Sequence, residues 1–303
     1  MSRKKNSISK KDINNFIKFA NKYPVIAGIL IVLVIGLAVY KFVSENQHTV
    51  EVPMDGLYVH YIDVGQGDSE LICCDGEFML IDGGEPSASD ALVSYLKKHG
   101  VKKLDYLVCT HAHADHCGGL DAVVESFDVE TVFTSPYSDD NVSYSIFLEA
   151  VEDAGLEAIA PEIGESFSLG EAGFRFIGPL DDYESVNDDS LVMRLEYGDT
   201  SFLFTGDMSQ TAEHDLINDG AKLRCDVLKV GHHGSYSSTC YQFLREARPE
   251  IAVISCATGN SYGHPHDAAL SRLNDAGATV YRTDLEGSIV IFSDGMKVER
   301  KAA

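Results

Sequence analysis

The chain has 303 residues, room for one large domain or two small ones, with 47 acidic against 24 basic side chains and a formal charge of −23. Residues 1–43 hold eight of the bases and one of the acids, so residues 44–303 alone carry about −30. Such a surface excludes a broad nucleic-acid-binding face, though not a cleft that grips one phosphodiester, and it equally suits a coat that keeps a secreted domain soluble. Seven cysteines, an odd number with no framework spacing, exclude a disulfide-built scaffold.

In chain order, the first feature is an N-terminal stretch with seven basic residues and one acid, followed by the unbroken apolar run 25–40. Lys41 can snorkel, so that Phe42 and Val43 lengthen the run toward the roughly 20 residues that span a bilayer. No small-residue cleavage site follows, which favours a retained anchor over a cleaved signal peptide. The charge asymmetry predicts a basic cytoplasmic tail over 1–23, a transmembrane anchor over 24–43, a linker over 44–55 and an extracellular domain over 56–303.

Within that domain, Val-, Ile-, Phe- and Tyr-rich runs predict strands over 57–62, 70–74, 78–81, 105–109, 172–177, 190–197, 200–205, 225–231, 251–255 and 287–292. Helical periodicity predicts helices over 87–99, capped by Ser87, and over 118–126, 143–154, 209–219, 237–246 and 266–276. Strands and helices interspersed, then repeated, predict two packed sheets with helices outside.

The chemistry concentrates where predicted strands end. After 105–109 comes Thr-His-Ala-His-Ala-Asp-His-Cys-Gly-Gly at 110–119, which places His111, His113, Asp115 and His116 within six positions. Imidazoles and a carboxylate suit zinc, with manganese or iron as alternatives. If the segment is a loop, alternation points His111 and His113 to one side and Asp115 and His116 to the other, a geometry for two ions. Cys117 could approach a metal, although packing is its simpler role. Asp82, in Ile-Asp-Gly-Gly, ends one strand and could orient a ligating histidine. Asp207, in Phe-Thr-Gly-Asp, ends another and could bridge two ions held about 3.5–4 Å apart. Val-Gly-His-His-Gly-Ser supplies His232 and His233, and Gly-His-Pro-His supplies His264 and His266. Seven of the eleven histidines fall in these three motifs.

This set of motifs resembles the metallo-β-lactamase superfamily. Tyr-Ile-Asp-Val-Gly-Gln-Gly-Asp at 61–68, Asn-x-x-Ser-Leu-Val at 187–192, Thr-Gly-Asp at 205–207, Leu-Lys-Val-Gly-His-His-Gly-Ser at 228–235 and Gly-His-Pro-His at 263–266 are similar to the hydrolase domain of the ComEC/Rec2 competence proteins. The resemblance covers roughly residues 56–300. It implies an α/β (α+β) fold, the αββα four-layer sandwich, with two divalent ions, zinc or manganese, on one edge. His111 and His113 would hold one ion, Asp115 and His116 the other, with Asp207 bridging and His233, or else His232, completing the ligand set of the second ion. Asp82 and Asp63 would orient ligands from behind. His264 and His266 would serve as proton donor or phosphate contact, beside a metal-activated hydroxide. Where the superfamily usually has one more histidine, this chain has Asn187-Asp188-Asp189-Ser190, which implies a weak or oxygen-rich first ion site and leaves Asn187 and Ser190 as substrate contacts.

Competence proteins of this type carry a many-helix channel, and none is read here, so DNA import is not expected of this chain itself. The leading expectation is an anchored phosphodiesterase or nuclease, with single-stranded DNA as a candidate substrate. A phosphorylcholine-esterase-like hydrolase of envelope phosphoesters, a hydrolase of lactam-type amides, and a binding protein with a degenerate metal site are the alternatives.

Overall fold

Apolar runs pair into two mixed sheets in the computed structural model, which describes residues 55–137 and 140–302 together with scattered positions between 22 and 36. The elements, in order, are β1 (Leu57–Tyr61), β2 (Glu70–Cys74), β3 (Glu77–Ile81), α1 (Ser89–Lys98), β4 (Lys103–Cys109), α2 (Ala114–Cys117), α3 (Leu120–Ser126), β5 (Asp128–Thr134), α4 (Val142–Asp153), β6 (Ala158–Ile159), β7 (Ser166–Leu169), β8 (Ala172–Gly178), β9 (Val192–Tyr197), β10 (Thr200–Phe204), α5 (Gln210–Asp219), β11 (Val227–Lys229), α6 (Tyr241–Ala247), β12 (Ile251–Ile254), α7 (Asp267–Asp275), β13 (Thr279–Arg282), α8 (Thr283–Glu286), β14 (Ile289–Ser293) and β15 (Val298–Lys301). The chain divides between Thr49 and Val50 into two units, and all these elements lie in the second. The predicted tail and linker fall almost wholly outside the described residues, and so do eleven of the twenty positions of the predicted anchor. Among the described residues no helix is long and apolar enough to cross a membrane.

The first sheet has eight strands in the order β15-β14-β1-β2-β3-β4-β5-β6, and the second has seven in the order β13-β12-β11-β10-β9-β8-β7. Each sheet is antiparallel on one side and parallel on the other, with β3, β4, β5 and β6 parallel in the first and β10, β11, β12 and β13 parallel in the second. Strands such as β2 and β10 are buried along their whole length, because both of their faces are covered. Tyr61, Phe176, Phe202 and Phe204 fill the space between the sheets. Leu92 and Leu96 of α1, Val123 of α3 and Phe147 of α4 cover the outer face of the first sheet. Leu216 of α5, Phe243 of α6 and Leu273 of α7 cover that of the second. Each such side chain contributes about 1.5–3 kcal/mol on burial.

Several expected boundaries move, each for a local reason. The first helix starts at Ser89, not behind Ser87, because Pro86–Ala88 forms a 3-10 turn. Helix α6 starts at Tyr241, where the Cys240 sulfur accepts from Phe243 N. The expected strand 225–231 shortens to β11, since the chain turns at Gly231. Strands β5, β6, β7, β13 and β15 and the single-turn helices α2 and α8 lie outside the expected set.

One buried cluster sets an acid limit on stability. His60 of β1 lies 6% exposed beneath α1, its Nδ1 2.9 Å from the Tyr95 hydroxyl and its ring against His99. Burial, and then His99, lower its pKa from 6.5 to about 3. The unfolded chain therefore takes up this proton from about pH 6.5 downward while the folded chain does not, and stability falls as pH drops through that window. His60→Gln should remove about 2 kcal/mol of the loss between pH 7 and pH 5. Urea midpoints of both proteins at the two pH values check this, and parallel pH dependences would contradict it.

Candidate metal centre

The carboxyl ends of parallel strands from both sheets meet at one edge, where α/β sheets place their ligand sites. Strand β3 ends in Asp82, β4 leads into Thr110–His116, β10 leads into Gly206 and Asp207, and β11 leads into His232 and His233. Asp82, His232 and His233 all have positive φ (57°, 49° and 53°), a conformation that costs non-glycine residues energy and collects at functional sites. Two glycines allow the loops to close. A Cβ on Gly67, at φ +148°, would stand 2.3 Å from Asp115 O, and one on Gly206, at φ +48°, 2.8 Å from Ser190 Oγ. The segment 110–119 is not a simple alternating loop. Residues Ala114–Cys117 wind into one helical turn, with His116 N donating to His113 O at 3.0 Å, and this turn carries Asp115 and His116 to their side of the site.

The side-chain spacings fit bound cations. His111 Nε2 lies 3.1 Å from His113 Nδ1. His116 Nε2 lies 3.3 Å from Asp207 Oδ1, and His233 Nε2 lies 3.3 Å from Asp115 Oδ2 and 3.5 Å from Asp207 Oδ2. Two ligands bonded at 2.0–2.1 Å to one tetrahedral ion sit about 3.3 Å apart. His116 Nε2, His233 Nε2 and Asp207 Oδ1 are buried with no hydrogen-bond partner. Buried polar atoms seldom go unpaired, and these face one another. Asp68, His116, Asp207 and His233 offer ligand atoms that all lie within 4.8 Å of one another.

Electrostatics favours positive charge here. Burial works against a charged His116, but Asp207 and Asp82 outweigh it and raise its pKa well above the usual value. Burial likewise opposes a charged His233, yet Asp207 and Asp68 raise its pKa to about 10. Asp207 is held far below the carboxylate range by His233 and His116 against the effect of burial. The field that keeps protons on these imidazoles would equally hold cations. His111 is different: burial and His116 keep it neutral, the form that ligates.

Two carboxylates fix the rings from behind. Asp82 Oδ2 lies 2.7 Å from His116 Nδ1 and accepts from Thr110 Oγ1, while its Oδ1 accepts from Thr110 N. Asp68 Oδ1 lies 3.2 Å from His233 Nδ1, a nitrogen that also sits 3.0 Å from Ser255 O. Asp68 Oδ2 pairs with Lys229 Nζ at 2.5 Å, both residues 1% exposed. Asp68 thus stands on the Nδ1 side of His233, balanced by Lys229, with its Oδ1 buried and free of a hydrogen-bond partner. Asp82→Asn should lower metal affinity about 10–100-fold. Competition with a chromophoric chelator measures this, and an unchanged affinity would remove Asp82 from the site.

A cleft of about 300 Å³ opens over the cluster, lined by His113, Asp115, Asp207, His232, His233, His264 and Asn187 among others. His232 is the outer of the paired histidines, with Nε2 3.7 Å from Asp207 Oδ2. Asn187 also lines the cleft, and its Oδ1 is buried and unpartnered. Ser190 does not reach the cleft. It is fully buried, its Oγ donating to Asn187 O at 2.7 Å, accepting from Asp207 N at 3.0 Å and lying 3.3 Å from His111 Nδ1, so it positions those residues instead of touching substrate. His266 also stands back, its Nδ1 accepting from Tyr236 N. His264 lines the cleft, but burial and the neighbouring His233 and His232 lower its pKa to about 4, so it is neutral and a poor resting acid. Asp63 is exposed and accepts from Gly65 N in a turn; the residue of motif 61–68 that reaches the centre is Asp68. Cys117 packs in the core, burial pushing its thiol up to about 12.

Sequence reasoning missed Gln66, Asp68, Lys229 and Tyr262. A lysine inside the apolar strand β11 was the available signal for a buried partner, since lysine is almost never fully buried unpaired.

The family model of the metallo-beta-lactamase superfamily matches residues 62–258. ComE operon protein 3 of Bacillus subtilis is 32% identical over 76% of this chain and 32% of its own length. Competence protein ComA of Neisseria gonorrhoeae is 30% identical over 86% of this chain and 36% of its own. The chain thus spans about a third of the length of these curated relatives. Among solved structures, the metallo-beta-lactamase fold protein YhfI from Bacillus subtilis superposes with a TM-score of 0.54 at 14% identity, covering 79% of this chain and all of that one.

Proposed function

The chain belongs to the metallo-beta-lactamase superfamily, and we propose that it is a phosphodiesterase working with two divalent ions, with nucleic-acid strands as substrate. The observation that carries this reading is the set of unpartnered ligand atoms on His116, His233 and Asp207 beneath an open cleft. His111 and His113, together with the Asn187 carboxamide oxygen, would hold the first ion. Asp115, His116 and His233 would hold the second, and Asp207 would bridge the two. An oxygen ligand in place of a third histidine favours manganese over zinc at the first position. When bound, such ions lower the pKa of water and polarise a phosphoryl oxygen.

The chain's own groups supply binding and orientation. Gln66 lines the cleft with its Oε1 accepting from Ala257 N, which leaves its buried, unpartnered Nε2 to donate to a phosphoryl oxygen. Neutral His264 also lines the cleft and offers one N–H. Asp82, Asp68 and Ser190 hold His116, His233 and Asp207 in register. The names of the competence-protein relatives point toward DNA. The apolar N-terminal run would anchor the domain to the outer face of a membrane.

A second reading, hydrolysis of phosphorylcholine-type envelope esters, is favoured by the charge of about −30 on residues 44–303, which opposes long polyanions. The test offers the full chain, loaded with manganese or zinc, a single-stranded oligonucleotide, a phosphorylcholine diester and a β-lactam in parallel. Cleavage of the oligonucleotide is expected. Turnover of the phosphorylcholine diester alone would move the assignment to the second reading, and turnover of the β-lactam alone would end both.

A further inference from the structure

We propose that Tyr262 and Tyr236 form a stacking rim for unpaired nucleobases beside the cleft, so that the substrates are single-stranded segments and strand ends rather than duplex. This rests on the phosphodiesterase reading above. The two tyrosines are 62% and 63% exposed. Single exposed aromatics are ordinary; these two terminate a continuous row of rings. Tyr262 stacks on His264 at 5.6 Å with planes 21° apart, His264 lies 4.9 Å from His266, and His266 lies 5.1 Å from Tyr236. The row runs beside the reacting centre, because His264 is 5.4 Å from His232 and 6.0 Å from His233, and Tyr262 and His264 both line the cleft.

The rim is built to stay open. Asn260 ties its loop together, its Oδ1 accepting from Tyr262 N and His264 N and its Nδ2 donating to Ala257 O and His264 O. The backbone at Tyr236 is pinned through its carbonyl, which accepts from Gln210 and Arg272. The backbone is therefore held at both positions while the rings stay exposed.

Charge explains why stacking would be needed. Arg272, the cation beside this rim, directs its guanidinium at the carbonyls of Tyr236, Ser238 and Thr239, so it is committed to the fold. On a domain this acidic, phosphate attraction outside the metal-lined cleft adds little to the binding of a strand. Aromatic faces add about 1–3 kcal/mol per stacked base whatever the sequence, and stack on bases that are unpaired.

The test measures binding separately from cleavage, using the metal-loaded full chain. A single-stranded oligonucleotide carrying 2-aminopurine is titrated by fluorescence, beside an abasic oligomer of equal length followed by a terminal dye. The base-bearing strand is expected to bind more tightly with quenched fluorescence. Tyr262→Ala should weaken it roughly 10- to 100-fold, Tyr262→Phe should restore it, and neither should change affinity for the abasic oligomer. Equal binding of the two oligomers by the wild type, or unchanged quenching in the Tyr262→Ala, Tyr236→Ala double variant, would overturn the rim. Cleavage that persists in that case leaves the phosphodiesterase reading standing. Quenching that follows the variants while no oligomer is cut supports the rim and counts against the hydrolytic reading instead.

Discussion

Asp207→Asn is expected to leave the fold intact while turnover falls by on the order of 10³-fold or more, beyond the 10–100-fold carried by residues that only orient ligands. The carboxylate directs one oxygen at His116 Nε2 and the other at His233 and His232, at 3.3, 3.5 and 3.7 Å. A carboxamide keeps the shape and retains one acceptor, but it loses the charge and the second acceptor, so it cannot bridge two cations. Its backbone N–H still donates to Ser190 Oγ, which preserves the loop. Metal content should drop in parallel, measured by elemental analysis after dialysis, with an unchanged circular dichroism spectrum. A variant that retained both ions and full turnover would remove Asp207 from the bridging role.

Lys229→Met should cost about 3–5 kcal/mol of stability. Lys229 is 1% exposed and pairs with Asp68 in a setting that also holds the buried Glu70. Burial and Asp68 together raise the Glu70 pKa well above normal, so Glu70 is neutral and Lys229 serves Asp68. Removing the ammonium strands the Asp68 carboxylate in the interior. The double variant Asp68→Leu, Lys229→Met replaces both charges and should recover most of the stability, since buried ion pairs often exchange for apolar groups at little net cost. It should nonetheless bind metal less tightly, because His233 Nδ1 loses its carboxylate. Denaturant unfolding of the single and double variants gives the comparison. Equal destabilisation in both would mean that Lys229 acts through packing and not through charge.

The two-sheet fold with outer helices was legible because its inner strands are apolar for their full length and its helices carry apolar stripes. Apart from β5, the strands that escaped are short or at sheet edges. Val298–Lys301 reads Val-Glu-Arg-Lys, and its docking shows only in the folded chain, where Arg300 lies 4.6 Å over the Tyr281 ring. Asp128–Thr134 breaks strict alternation, with its burial gathered at its last three residues. At the centre, the histidines and Asp207 stood out because few other roles explain such residue types at strand ends. Asp68 could not be separated from Asp63 on sequence, since both lie in one motif. The choice is made when Ile62 N bonds Ser69 O and Gly67 lets the loop close on Asp115, which turns Asp68 inward and leaves Asp63 in solvent. Ser190 and Asn187 were similarly inseparable until a buried hydroxyl and a cleft-facing amide emerged from the packing.

The most direct test of the central claim is hydrolysis of a single-stranded oligonucleotide in ¹⁸O-labelled water by the metal-loaded full chain, read by mass spectrometry of the product phosphate. Attack of water at phosphorus in the cleft predicts one labelled oxygen on the new terminal phosphate, abolished by chelation and by Asp207→Asn. A protein that binds its ions yet releases no labelled phosphate would contradict the account.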